Sequence, residues 1–257
     1  MKARGKFYGI GVGPGEPGLL PVVAWEALQT CDLVFCPRAR TLDYSAARRA
    51  LPAGVIPGER FREIEFLMDS DRSLLGEHYS RLALALAEEL NAGKDVAYLT
   101  LGDSLTYSTY IYTLHALLAL MPDLEYRTFP GVTSYCALAA AADWPLGEGK
   151  ERVLILPCPD EMTELRAAVE SNDVVVLMKI GKRLPAVLDL LKELGIASFS
   201  AYGHRLGMPE EAIHRDVSDL SGAERDGYLA TLLIRRRARE DRHRALSPQQ
   251  ETKETDS

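Results

Sequence analysis

Three strand-like segments in the first half of the chain run into glycine-bearing loops, and this limits the fold more than any other feature. Residues 8–12 run into Gly13-Pro14-Gly15, residues 96–101 into Gly102-Asp103-Ser104, and residues 126–129 into Pro130-Gly131-Val132-Thr133-Ser134. Each run reads as a strand, and each is followed by a helical pattern, the alternation of an α/β fold. In open α/β folds, ligands sit outside the carboxyl ends of the strands. The three strand-end loops are therefore expected to converge on one pocket.

The alternation continues along the chain. Apolar spacing predicts helices over 19–30, 41–51, 74–91, 110–120, 134–142 and 184–194. Strands are expected over 7–12, 33–36 (stopped by Pro37), 96–101, 125–129, 153–156, 174–178, 198–202, 212–216 and 228–235. Residues 52–62, with Pro52, Gly54, Pro57 and Gly58, read as loop or a short strand. The closely spaced strands of the second half suggest a mixed sheet with hairpins. The Met121-Pro122-Asp123 turn suggests a boundary between domains at 1–122 and 123–239. Residues 240–257 are polar without apolar periodicity and read as a disordered tail.

Net charge is −7, which excludes a general nucleic-acid binder. No run approaches the ~18 apolar residues of a membrane span, and the glycine-broken amino terminus reads as a first strand, so a cytoplasmic protein is expected. The four cysteines form no CxxC pair, no histidine stands at zinc-ligand spacing, and no metal site is expected. Cys31 and Cys136 read as small core residues. Arg38, Arg40, Arg48, Arg49, Arg60 and Arg62 cluster in one short region. They are either a solvated surface or a basic rim that receives an anionic small molecule.

Gly13-Pro14-Gly15-Glu16-Pro17-Gly18 formally satisfies a dinucleotide-binding GxGxxG. Pro14 and Pro17 remove backbone donors that a phosphate cradle needs, so a tight turn beside some other ligand fits better. Asp103 suits a capping role in the strand-to-helix turn. The following residues, 105–110, carry five hydroxyls in six positions, more than capping requires, which points to a polar ligand site. Thr133 or Ser134 can cap the next helix. No catalytic triad and no carboxylate pair stand out, so the reactive power is expected from a cofactor.

Taken together, YGIGVGPGEPGLLPVVAWEALQTCDLVF, YLTLGDSLTYSTYIY and FPGVTSYCALAAAADWPLGEGKERVLILP resemble the tetrapyrrole methylase family. The YSTYIY and PGVTSYCA blocks look like its precorrin-2 or cobalt-factor II C20-methylating branch. The resemblance implies two α/β domains with S-adenosylmethionine in the cleft between them, a tetrapyrrole substrate and a homodimer. It implies cofactor contacts at Pro14, Gly102, Asp103, Ser104, Tyr107, Thr133, Ser134, Met178 and Leu206. Tyr107, Tyr110 and Tyr112 are candidates for assisting proton loss. Arg38, Arg40, Arg60, Arg62 and Arg72 are candidates for the carboxylates of the substrate. Ser104 departs from the family's usual proline and Pro21 from its threonine, while His204 and Gly207 stand where glutamate and threonine are common. The rival readings are methylation of another corrin carbon or of uroporphyrinogen III, an rRNA or protein methyltransferase on the same fold, and a non-catalytic binding module.

Overall fold

The computed structural model describes residues 4–40, 43–66, 72–222 and 227–239. The Arg72 side chain and the 240–257 tail lie outside the described residues. In chain order the strands are β1 (Phe7–Gly11), β2 (Leu33–Ala39), β3 (Phe61–Phe66), β4 (Val96–Thr100), β5 (Tyr126–Phe129), β6 (Val153–Pro157), β7 (Val174–Met178), β8 (Ala201–His204), β9 (Ala212–His214) and β10 (Ala230–Arg235). The helices are α1 (Val22–Thr30), α2 (Ala46–Arg49), α3 (Arg72–Asn91), α4 (Tyr110–Leu120), α5 (Ser134–Ala141), α6 (Met162–Ser171) and α7 (Leu184–Glu193).

The first sheet is wholly parallel, in the order β3-β2-β4-β1-β5. Strand period two assigns its faces. Phe7, Leu33, Phe35 and Tyr98 pack against Leu86, Leu90, Leu114 and Leu117 of α3 and α4. Ile10, Val34, Ala97 and Leu99 pack against Ala24 and Leu28 of α1 and Ala47 of α2. Each large side chain buried in this way contributes roughly 1.5–3 kcal/mol. The second sheet is mixed, in the order β6-β7-β10-β8-β9, with only β6 and β7 parallel. One face takes Leu184, Val187, Leu188 and Leu191 of α7, an i, i+3, i+4, i+7 stripe, with Leu165 and Val169 of α6. The other face takes Leu138 and Ala142 at α5.

Several expectations are corrected. β5 pairs with β1, so the first sheet extends past residue 122 to Phe129, and the turn at 121–124 lies within that sheet's unit. β2 runs through Pro37 to Ala39. Its pairing with β4 stops at Phe35, so the missing Pro37 N–H faces no strand on that side. The run 198–202 begins as a 3-10 turn, and the strand starts at Ala201. Cys136 is exposed on α5 and is not a core residue, whereas Cys31, Cys36 and Cys158 are buried. Among the described residues, no helix is long and apolar enough to cross a membrane.

Candidate functional site

β4 lies beside β1 and β1 beside β5, so the three glycine loops leave adjacent strand ends. Hydrogen bonds lace them together. Gly13 N donates to Gly102 O at 3.2 Å, and Gly102 N donates to Gly13 O at 2.6 Å. Gly131 N donates to Asp103 Oδ1 at 3.0 Å, while Leu105 N and Thr106 Oγ1 each donate to Oδ2 at 2.9 Å. Ser104 Oγ is fully buried and donates to Phe129 O at 2.9 Å. The backbones touch because glycine leaves room. A Cβ at Gly131 would sit on the Gly102 carbonyl oxygen and 2.7 Å from the carbonyl carbon of Gly11.

Burial alone would raise the Asp103 pKa. The hydrogen bonds from Gly131, Leu105 and Thr106 outweigh that effect and hold it below the ordinary carboxylate value. A carboxyl depressed in the folded state contributes stability that is complete above the unfolded pKa, about 3.9, and is lost as pH falls through the lower folded value. Asp103→Asn is therefore expected to be less stable than wild type at neutral pH. Below about pH 4 its stability should fall less steeply, as urea midpoints across a pH series would show. Parallel curves for the two proteins would remove the carboxylate from this role.

The hydroxyls of the 105–110 run are spent inside the protein, contrary to the expectation that several would face a ligand. Thr106 bonds Asp103, and Tyr107 OH donates to Ile155 O of β6 at 3.2 Å. Ser108 Oγ accepts from Tyr110 N at 3.0 Å. Thr109 bonds the buried Tyr98 phenol, and Tyr110 OH meets Thr128 Oγ1 at 2.6 Å. Tyr110 is fully buried across Gly9, so it is a packing residue rather than a proton acceptor. Tyr112 is exposed on α4, its ring 5.4 Å from that of Tyr79 on α3. Tyr107 differs from both. It has φ 52° and is 44% exposed, and its phenol latches onto the edge strand of the other sheet.

The second sheet brings its own strand ends to this place. Ser134 Oγ at the start of α5 meets Thr231 Oγ1 of β10 at 2.9 Å, and Thr133 caps α5 by accepting from Cys136 N at 3.4 Å. Met178 closes β7, and its half-buried side chain packs on the cluster around Leu138, Val176 and Leu206. The Leu206 side chain is buried in that cluster, and its backbone carbonyl lies against Gly15. Pro14 is buried in the turn between these contacts. The expected cofactor residues thus stand on both facing ends, with a qualification. Asp103, Ser104 and Leu206 turn their side chains to the protein, so these positions present mainly backbone.

Sequence reasoning missed one feature of the second sheet. Lys179 directly follows β7, Arg205 directly follows β8 and Leu229 directly precedes β10, and these are adjacent strands. All three are non-glycine residues in the left-handed region, at φ 55°, 50° and 55°. Such backbone costs about 1–2 kcal/mol per residue and clusters at functional sites. Without glycine at these positions, nothing in the sequence signals them.

The expected basic rim is also corrected. Arg38 lies 3.8 Å from both Glu63 and Glu65, Arg40 is 3.4 Å from Glu65, and Arg48 is 3.3 Å from Glu63. The parallel register sets Arg38 opposite Glu65 and Cys36 opposite Glu63, so β3 neutralises the arginines. Arg60 lies at the amino end of β3, where it donates to Gln29 O and Cys31 O at 2.9 and 3.3 Å, away from the glycine loops. Arg62 donates to Glu59 O and Phe61 O at 2.6 and 2.9 Å.

Residues 6–220 match the family model for tetrapyrrole (corrin/porphyrin) methylases. The chain is 29% identical over 231 residues to the cobalt-precorrin-2 C(20)-methyltransferase of Salmonella typhimurium, covering 90% of this chain and 96% of that protein. It is 30% identical over 220 residues to a precorrin-2 C(20)-methyltransferase from a Sinorhizobium species, covering 81% and 87%. Among solved structures, a putative cobalamin synthesis related protein from Corynebacterium diphtheriae superposes with a TM-score of 0.68 at 20% identity, covering 91% of this chain and 99% of that one. The uroporphyrin-III C-methyl transferase of Thermus thermophilus complexed with S-adenosylhomocysteine gives 0.57 at 20% identity, covering 90% and 97%.

Proposed function

Because the chain belongs to the tetrapyrrole methylases, we propose that it transfers a methyl group from S-adenosylmethionine to C20 of precorrin-2 or cobalt-factor II in cobalamin biosynthesis. The observation that carries this is the likeness, over nearly the whole length of both chains, to a relative named for that reaction. It includes both sheets and hence both walls of the site. A family neighbour holding S-adenosylhomocysteine supports the choice of cofactor.

When bound, S-adenosylmethionine supplies an electrophilic sulfonium methyl. The protein's own part is to hold and align. The laced Gly13, Gly102 and Gly131 backbones form one wall, Thr133 caps the helix that leaves it, and the Leu206 turn of the second sheet lies against Gly15. A site that fixes a near-attack geometry supplies on the order of 7–11 kcal/mol in favourable cases. No essential nucleophile is required.

Loss of the C20 proton completes the reaction. Tyr107 is the tyrosine of the 107–112 run whose phenol reaches across to the second sheet, where it donates to a carbonyl. Tyr107→Phe is expected to keep kcat within a few-fold, since loss of a general base costs about 10²–10⁴. A loss in that larger range, measured in single turnover, would make Tyr107 the acceptor.

The free thiols fit a reducing compartment, and the reading includes a cytoplasmic homodimer, testable by light scattering. The decisive assay gives the purified protein labelled S-adenosylmethionine with metal-free precorrin-2 or with cobalt-factor II, both anaerobic. Transfer to C20 is expected, and the faster substrate assigns the metal requirement. Cofactor binding without transfer to either would overturn the C20 reading.

A further inference from the structure

The arginines near β2 leave the acidic substrate without an obvious cationic partner, since Arg38, Arg40 and Arg48 already face Glu63 and Glu65. The second sheet presents three left-handed residues at its strand ends, Lys179, Arg205 and Leu229. Leu229 carries no charge. Arg205 is committed to Glu210 at 3.5 Å. Lys179 remains. Its carbonyl oxygen accepts from Arg183 Nη2 at 2.9 Å, and Arg183 also pairs with Asp160, so the turn after β7 is braced from behind. The Lys179 ammonium itself has no hydrogen-bond or ion-pair partner among the described residues.

The surroundings of that ammonium are informative. The residue keeps an exposed surface. The protein packed around it nevertheless lowers its pKa, through burial. The side chain is open to solvent on one side while protein surrounds the rest of it. Lys179 stands at the strand ends that border the site already described. Met178, the preceding residue, ends β7 at the level where Thr231 of β10 meets Ser134. Holding a lysine at φ 55° there carries a backbone cost that glycine would not.

We infer that Lys179 binds a carboxylate of the tetrapyrrole substrate, as the one cation at these strand ends left without a counter-ion among the described residues. The inference rests on the proposed tetrapyrrole reading and adds to it the group that orients the substrate on the second sheet. A carboxylate arriving at this ammonium supplies the missing counter-charge in a charge-assisted hydrogen bond.

The test is equilibrium binding rather than turnover, so its outcome does not depend on which carbon is methylated. Cobalt-factor II, and separately uroporphyrin III as a stable polycarboxylate of the same class, are titrated into wild type and variants with S-adenosylhomocysteine present. Lys179→Met should weaken tetrapyrrole binding roughly tenfold or more, the size of one charge-assisted hydrogen bond, while the Kd for S-adenosylhomocysteine holds. Lys179→Arg should restore most of the affinity. Lys182→Met, an equal loss of charge on the neighbouring exposed turn, should leave it unchanged. Lys179→Gly is the most diagnostic variant. It removes the ammonium but suits the left-handed backbone, so the melting temperature should hold or rise while tetrapyrrole affinity falls. Wild-type tetrapyrrole affinity in Lys179→Met, or a weakened cofactor Kd with tetrapyrrole binding intact, overturns the inference. Failure of wild type to methylate either substrate overturns the C20 reading alone.

Discussion

Gly131→Ala is expected to lower the melting temperature by about 6–12 °C and to weaken S-adenosylmethionine binding by at least about tenfold. The added methyl lands on the Gly102 carbonyl oxygen and crowds the Gly11 backbone. Its neighbours are main-chain atoms, which cannot rotate away as a side-chain tip would. Overpacking in a core costs 1–3 kcal/mol, and a clash among main-chain atoms belongs at about the top of that range. Relief requires Gly131 to back away, which breaks the bond from its N–H to Asp103 and leaves a partly buried carboxylate oxygen unpaired. Scanning calorimetry and a cofactor titration check both parts. A wild-type melting temperature with wild-type affinity would show that the three loops are not locked to one another.

Gly207→Thr is expected to do comparable damage at the contact between the sheets, although threonine is what the family commonly carries there. Gly207 has φ 72°, which costs a β-branched residue about 1–2 kcal/mol or more. A Cβ would also sit on the Glu16 nitrogen and 2.7 Å from the carbonyl carbon of Gly15. The turn after β8 would have to lift off the Gly13-Pro14-Gly15 loop. The sum, about 2–5 kcal/mol, falls on contacts between the sheets rather than within either one. Calorimetry should show a lowered transition that broadens or splits, and Gly207→Ala should give a milder form of the same result. A sharp transition at the wild-type temperature would mean that this contact does not couple the two halves.

Much of this was legible in the sequence, and the exceptions have physical causes. The strand and helix alternation of the first sheet could be read because its central strands are apolar runs and their ends are marked by glycine. Gly102, Asp103 and Gly131 stood out for that reason. β3 escaped because FREIEF is charged at three of its six positions, as suits an edge strand, and so lacks an apolar run. α6 escaped because Glu161 at its start makes no side-chain cap, leaving no start signal. The hydroxyl run misled because counting donors does not show where they point, and Thr109, Ser108 and Tyr110 turn inward onto Tyr98, Thr100 and Thr128. The arginines misled for a related reason. Their partners lie on β3, at sequence separations that a local reading does not connect.

The place of β10 in its sheet bears on how the chain is made. Its neighbours are β7 and β8, so the last strand to leave the ribosome among the described residues fills the middle of the second sheet. The first sheet has all its strands by Phe129. The second must wait until Arg235, or 235 − 129 = 106 residues later, an interval of about 5–20 s at ordinary elongation rates. During that interval the apolar strands Val174–Met178 and Ala201–His204 each present an unpaired edge. The nascent protein thus has a finished half and an open half. Ribosome stalling anywhere between β8 and β10 would leave a chain with its first sheet complete and two sticky edges exposed.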